Sequence, residues 1–213
     1  SSADLIAEHQ PVKLASFEGL YRTEPNTPLS IAGWVNTEKE EVYSIKIPGG
    51  LSFLLYGNFE TPVKGLDSFP KEEWPNVPVV FQAYHLMVGL WFIMTLIAFL
   101  GCWHWKKGTL ESKSWLLWAM VFSVGFPHIA QQSGWIAAEV GRQPWIVWNQ
   151  LKTSQAVSMN ISASQVLASL CMFVVIYALL FALFIFLLDR KIKQGPEKLT
   201  AGADDLIYRD YEV

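Results

Sequence analysis

Glu139 and Arg142, a carboxylate and a guanidinium three positions apart, follow a stretch, 114–138, that holds no Asp, Glu, Lys or Arg. On a helix, Trp135, Glu139, Arg142 and Gln143 fall at i, i+4, i+7 and i+8 and share one face. An inward-facing ionisable group at the end of a membrane helix is costly and usually marks a site for an ion, a proton or a cofactor. The plainer alternative is a snorkelling interfacial ion pair. A second candidate lies in Phe81-Gln-Ala-Tyr-His-Leu-Met-Val-Gly-Leu90. There His85 offers an imidazole nitrogen and Met87 a soft thioether, both able to ligate a metal or haem iron. Residues two apart on a helix point in different directions, so the two cannot be axial ligands of one haem. A methionine in an apolar helix is most often packing. A third candidate is Gln10-Pro-Val-Lys-Leu-Ala-Ser-Phe-Glu18, which sets Lys13 and Glu18 five apart. That spacing is ordinary for a solvated amphipathic face. At a membrane surface, though, an amine and a carboxylate could bind the polar head of an amphiphile and accept its protons. Pro127 is expected to kink its helix, and His128 to answer the freed carbonyl or line a proton path.

The elements that must position these groups are apolar. The chain has 213 residues, 52% apolar and 14% aromatic, with ten Trp, a composition ordinary for a membrane protein. A net charge of −3 argues against nucleic acid and against a polybasic lipid anchor. Cys102 and Cys171 lie in apolar segments and read as small hydrophobes. The chain does not begin with Met and shows no signal peptide, so processing or a longer parent is expected.

Three stretches lack formal charge, 74–105, 114–138 and 153–188. Each holds the about 20 residues that a membrane helix needs, with expected spans at 80–103, 114–138 and 163–188. The region 1–78 is polar, with prolines at 11, 25, 28, 48, 62, 70, 75 and 78, and reads as an extramembrane loop domain with short strands or turns. Residues 41–48 alternate like a strand, and 5–22 suit a helix broken near Pro11. The expected fold is an all-α membrane protein: a loop domain over 1–78, three transmembrane helices over 79–195 and a tail over 196–213. Lys106, Lys107 and Lys113 follow the first span, and Arg190, Lys191 and Lys193 the third. The positive-inside rule puts these clusters and the C-terminus in the cytoplasm, and residues 1–78 with the Glu139 end outside. Trp103, Trp105, Trp115 and Trp118 then suit an inner aromatic belt, and Trp74, Trp145 and Trp148 an outer one.

Taken in order, Gln10-Pro-Val-Lys13 through Glu18, Thr61-Pro-Val-Lys-Gly-Leu66, Met87-Val-Gly89, Gly134 to Trp145, and Leu151 with Thr153 resemble the C-terminal part of subunit I of cytochrome bd-type quinol oxidases. The run Gly134-Trp-Ile-Ala-Ala-Glu-Val-Gly-Arg-Gln-Pro-Trp145 is long and specific, and the likeness extends to about residue 195. The resemblance implies that Met87 ligates a low-spin haem b and Glu139 a high-spin haem b. The high-spin haem would lie beside an oxygen-reducing haem d or third haem b. It further implies that Trp135 and Arg142 help hold the haem pair, Arg142 through propionates. Gln10, Lys13 and Glu18 match the external quinol-binding loop, where quinol is oxidised and its protons are released outside. Electrons would then pass from quinol through the haems to oxygen.

The chain departs from the family pattern in three ways. His85 stands where Arg is usual, which makes an interaction with propionate or quinol weaker or pH-dependent. Gln132 stands where an acidic residue is usual. The family's N-terminal half, with its His ligands, has no counterpart. The expectation is a split subunit I in a bacterial or archaeal plasma membrane. One partner chain would supply the first half, and another would resemble subunit II. Quinol, oxygen and the lipid bilayer complete the implied partners. The rival expectation is a non-catalytic scaffold subunit of a respiratory membrane complex that binds no haem.

Overall fold

Proline 11 decides how the chain begins. In the computed structural model, which describes residues 2–157 and 160–195, helix α1 (Ser2–His9) stops before Gln10 and α2 (Pro11–Glu18) starts afresh. A proline lacks the N–H that a helix interior needs but is well placed in a first turn. The expected break near Pro11 is therefore present. Helix α2 ends at Gly19, whose φ of +63° suits a residue without a side chain. A Cβ there would also meet the Phe81 ring at 3.1 Å.

Strands β1 (Leu29–Asn36) and β2 (Glu41–Ile47) form an antiparallel hairpin, as the alternation over 41–48 suggested. Val35 and Val42 pair on the inner face, and Trp34 and Tyr43 pair on the exposed one. The register slips between Ser30 and Ala32, which leaves Ile31 as a bulge. A bulge breaks the ladder locally and redirects the groups beside it. Helix α3 (Gly50–Tyr56) follows, then single turns at Leu66–Ser68 and Lys71–Glu73. Asp67 ties this return to the start of the loop by accepting from the Thr23 backbone N–H at 3.0 Å and its hydroxyl at 2.7 Å.

Helix α4 (Val77–Lys106) opens on an Asn76 cap, whose side chain accepts from the Val79 N–H at 3.3 Å. Its first turns belong to the core of the loop region: Val77 and Phe81 pack with Val12, Leu14, Ala15, Leu20 and Leu66. A smaller cluster joins Phe17 of α2, Val80 of α4 and Ala137. The boundary expected near residue 78 is thus not a seam. Residues 2–157 belong to one compact unit, and the described residues from 160 onward to a second.

The stretch 114–138, expected as one kinked helix, is broken in two: α5 (Ser114–Ser123) and α6 (Phe126–Val140), with the gap at Val124–Gly125. Pro127 lies in the first turn of α6, so it starts a helix instead of bending one. His128 is exposed and makes no hydrogen bond among the described residues, so it does not answer a freed carbonyl. Helix α7 (Ala163–Gln194) begins at Ser162, whose backbone N–H donates to the Gln165 side chain at 3.0 Å. Helices α4 and α7 are long and apolar enough to cross a membrane, whereas α5, with 10 residues, and α6, with 15, are shorter. A second small hairpin, β3 (Trp145–Val147) with β4 (Leu151–Lys152), follows α6. The chain is therefore mostly helical, not all-α. The expected tail over 196–213 lies outside the described residues.

Helices α4 and α6 run antiparallel, and glycines set their contact. A Cβ on Gly141 would meet Val80 at 3.4 Å, and a Cβ on Gly134 would meet the Met87 Sδ at 2.6 Å. From Val80 to Met87 is seven residues forward; from Gly141 to Gly134 is seven back. Continuing by fourteen, Gly101 of α4 meets Met120 of α5. The line of contacts therefore survives the break between α5 and α6. Small residues that let helix backbones approach closely are the usual means of packing in a membrane, where lipid is as apolar as leucine.

Candidate functional site

The α6 end is assembled around Gly141. With no side chain there, the Lys13 stem comes close enough that a Cβ would meet its Cγ at 3.2 Å. Lys13 of the loop thus lies against the segment that carries Glu139 and Arg142. Arg142 donates from Nη2 to Glu139 Oε2, and the two side chains stay about a third and a half exposed, respectively. Burial and the neighbouring Arg142 hold the Lys13 ammonium below its usual range, and Glu139 opposes them.

The turn after α6 is fixed from the loop that follows. Thr153 donates from its hydroxyl to the Gln143 side chain at 2.7 Å and from its N–H to the Pro144 carbonyl at 2.9 Å. Trp145 is 9% exposed, with Lys152 Nζ 4.8 Å from its ring and Trp148 against its edge. Lys152 also reaches Glu73 at 3.6 Å. Trp74 packs against Tyr21, and Trp148 against Phe69. The three tryptophans expected in an outer belt are thus packed within the loop region. Trp145 is buried there, and Trp74 and Trp148 are half-buried.

Glu18 is treated quite differently. It is 5% exposed, and its Oε2 accepts one hydrogen bond, from the Ser30 N–H at 3.2 Å. Burial raises its pKa to about 7, against the opposing pull of that N–H. Ser30 pairs with Lys46 in the ladder, directly before the unpaired Ile31. The Ser30 carbonyl faces His85 Nε2 at 3.1 Å, while His85 Nδ1 faces the Phe81 carbonyl at 2.8 Å. His85 thereby ties the hairpin to α4. Lys13 and Glu18 line different cavities, one with Gln10 and Arg142, the other with Ser30 and Val42. Helix α2 buries Val12, Leu14, Ala15, Ser16, Phe17 and Glu18, so it is not a solvated face.

Met87 sits on α4 with its sulfur over Gly134, and it is only partly buried. Trp135 is 64% exposed on α6. The face shared by Trp135 and Glu139 therefore stays open within this chain. The residues matched by a family model settle what kind of chain this is: cytochrome bd terminal oxidase subunit I, over residues 1–196.

The chain belongs to the cytochrome bd oxidase subunit I family.

Two Bacillus subtilis proteins of this family are each 36% identical to it, a cytochrome bd ubiquinol oxidase subunit 1 and a putative cytochrome bd menaquinol oxidase subunit I. The chain aligns over 92% of its length with 44% of each. The structure of bd oxidase from Geobacillus thermodenitrificans is similar with a TM-score of 0.72 and 30% identity, covering 92% of this chain and 44% of that one. The chain thus spans a little under half the length of these relatives.

Cytochromes of this family carry haem, and the donor chemistry here fits iron. A thioether and a carboxylate, each incompletely covered by its own chain, stand on the paired helices α4 and α6, and the carboxylate already holds a guanidinium. Among the described residues no cluster of three His, Cys, Asp or Glu side chains exists. The Ser30 link to both Glu18 and His85 carried no sequence signal, because it joins residues 12 and 55 positions apart. Thr153 lay inside the quoted matches without an assignable partner.

Proposed function

We propose that this chain is a haem-binding subunit of a membrane quinol oxidase. In this reading it supplies the quinol-facing loop and one ligand to each of two haems. The observation that carries the reading is the contact of Lys13 with Gly141, which puts the loop against the Glu139–Arg142 pair. A quinol bound at the loop would then lie at the same end of the chain as the proposed haem ligands. The segment 114–140 serves as a third span in two pieces, supported by the unbroken glycine register along α4.

Met87 would hold a low-spin haem and Glu139 a high-spin haem, with Arg142 and Trp135 flanking the latter. When bound, the haems supply one-electron transfer and oxygen reduction. The chain's own side chains deal with the protons and the fit. Lys13 offers a cationic donor to a quinol oxygen. Glu18, with a pKa near neutrality, accepts a proton where an ordinary carboxylate would be too weak a base. Arg142 holds the Glu139 carboxylate in position by a charge-assisted hydrogen bond. The remaining haem ligands would come from a region equivalent to the part of the longer relatives that this chain does not span, and a subunit II-like chain completes the complex. The loop and the Glu139 end face the outside of a bacterial plasma membrane.

The test is the reduced-minus-oxidised spectrum of the assembled complex carrying Met87→Leu. It should lose the low-spin haem signal while the subunits still copurify. An unchanged spectrum removes the ligand assignment and leaves the scaffold reading.

A further inference from the structure

Three buried polar atoms that lack hydrogen-bond partners belong to residues lining one small cavity: Gln10 Oε1, Arg142 Nε and Trp145 Nε1. Together with Tyr21 Oη, which belongs elsewhere, they are the only such side-chain atoms among the described residues. Buried polar groups are almost always paired, and each one left unpaired destabilises the fold. Three at one place, two donors and one acceptor, need a common explanation.

The cavity offers about 20 Å³ to the centre of a water-sized sphere. That is room for one water, which needs roughly 10–15 Å³ on this measure and takes about three hydrogen bonds when buried. It is too small for a quinone ring. The complement also matches. A water accepts from the Arg142 Nε–H and the Trp145 indole N–H and donates to the Gln10 carbonyl oxygen. Of the charged groups that line the cavity, Arg142 Nη2 meets Glu139, the Glu73 carboxylate meets Lys152 and the Lys13 ammonium lies 5.7 Å from the Phe17 ring centroid.

We propose that this junction holds one structural water, which joins the start of α2 to Arg142 and Trp145 and fixes the guanidinium that holds Glu139. Arg142 is then gripped at two points, by Glu139 at Nη2 and by the water at Nε. Gln10 becomes a positioning residue that acts on the Glu139 carboxylate through the water and Arg142, instead of touching quinol itself. The loop and the α6 end are thereby coupled by hydrogen bonds as well as by the Lys13–Gly141 contact. The water itself does not depend on the quinol oxidase reading.

The deciding measurement is a density map of the assembled complex at a resolution that shows ordered waters. One isolated peak within hydrogen-bond distance of all three atoms is expected. Three unpaired atoms with no peak, a direct bond between Gln10 and Arg142 or Trp145, or a quinone head group in the cavity each overturn the proposal. The last of these would leave the quinol reading intact. In the same complex Gln10→Leu should remove the peak and lower quinol-dependent oxygen uptake about tenfold, the scale of losing a supporting group behind a metal ligand. Gln10→Glu, which keeps an acceptor oxygen, should restore both; failure to restore either counts against the water. Should Gln10→Leu fail to assemble, the wild-type map still decides.

Discussion

The two carboxylates of the candidate site, Glu18 and Glu139, are held in opposite ways. Glu18 is almost fully buried beneath the hairpin, with a single backbone N–H as partner and a pKa raised to about 7. Glu139 is half exposed at the end of α6 and paired with a guanidinium. The first is finished by this chain alone and suits proton uptake. The second stays open on one side within this chain. Burial without a countercharge makes a carboxyl group a better base.

The sharpest way to break this contrast is at Glu139. In the assembled complex, Glu139→Ala should cut quinol-dependent oxygen uptake by about 100-fold, at or beyond the scale found for groups that support a metal; full activity would remove the ligand role. Next in size is the shared foundation. Phe81 is fully buried between α2 and the hairpin, so Phe81→Ala should cost about 3–5 kcal/mol, seen as a lower thermal unfolding midpoint of the complex.

The Glu18 side is sharpened by pH. Below about 4.5 the carboxyl is neutral folded or unfolded. As pH rises to about 7, the unfolded chain gives up the proton that the folded chain keeps. Stability should therefore fall across that window by on the order of 3 kcal/mol and level off above it. Glu18→Gln should flatten the fall, measured as unfolding midpoint against pH, and an unaltered slope would refute the assignment. The smallest expected change is at Gly134. A Cβ there would stand 2.6 Å from the Met87 sulfur, so Gly134→Ala should shift the low-spin haem absorption while the complex still assembles.

The family was legible before any fold. The motif from Gly134 to Trp145 and the order of its companions carried the family, because ligand types and close glycine contacts require particular residues at particular spacings. The break at Pro11 and the hairpin strand were legible too, since proline chemistry and period-two alternation are local. The α5–α6 break was only half legible. Proline marks a disturbance, but whether a helix bends or restarts depends on what packs against it. The packed state of Trp145 and Trp148 was hidden for a related reason: an interfacial tryptophan and a buried one look the same in sequence.

The sequence by itself determined the apolar segments, the positions of the thioether and the two carboxylates, and the family. Those follow from composition, period and motif, which are properties of neighbours along the chain. Only the tertiary structure decided that Lys13 and Glu18 part company into separate cavities, that Ser30 joins Glu18 to His85, and that Gln10, Arg142 and Trp145 line one small cavity. Each of these pairings spans residues far apart in sequence, and long-range contacts are fixed by how whole elements pack, not by any local signal.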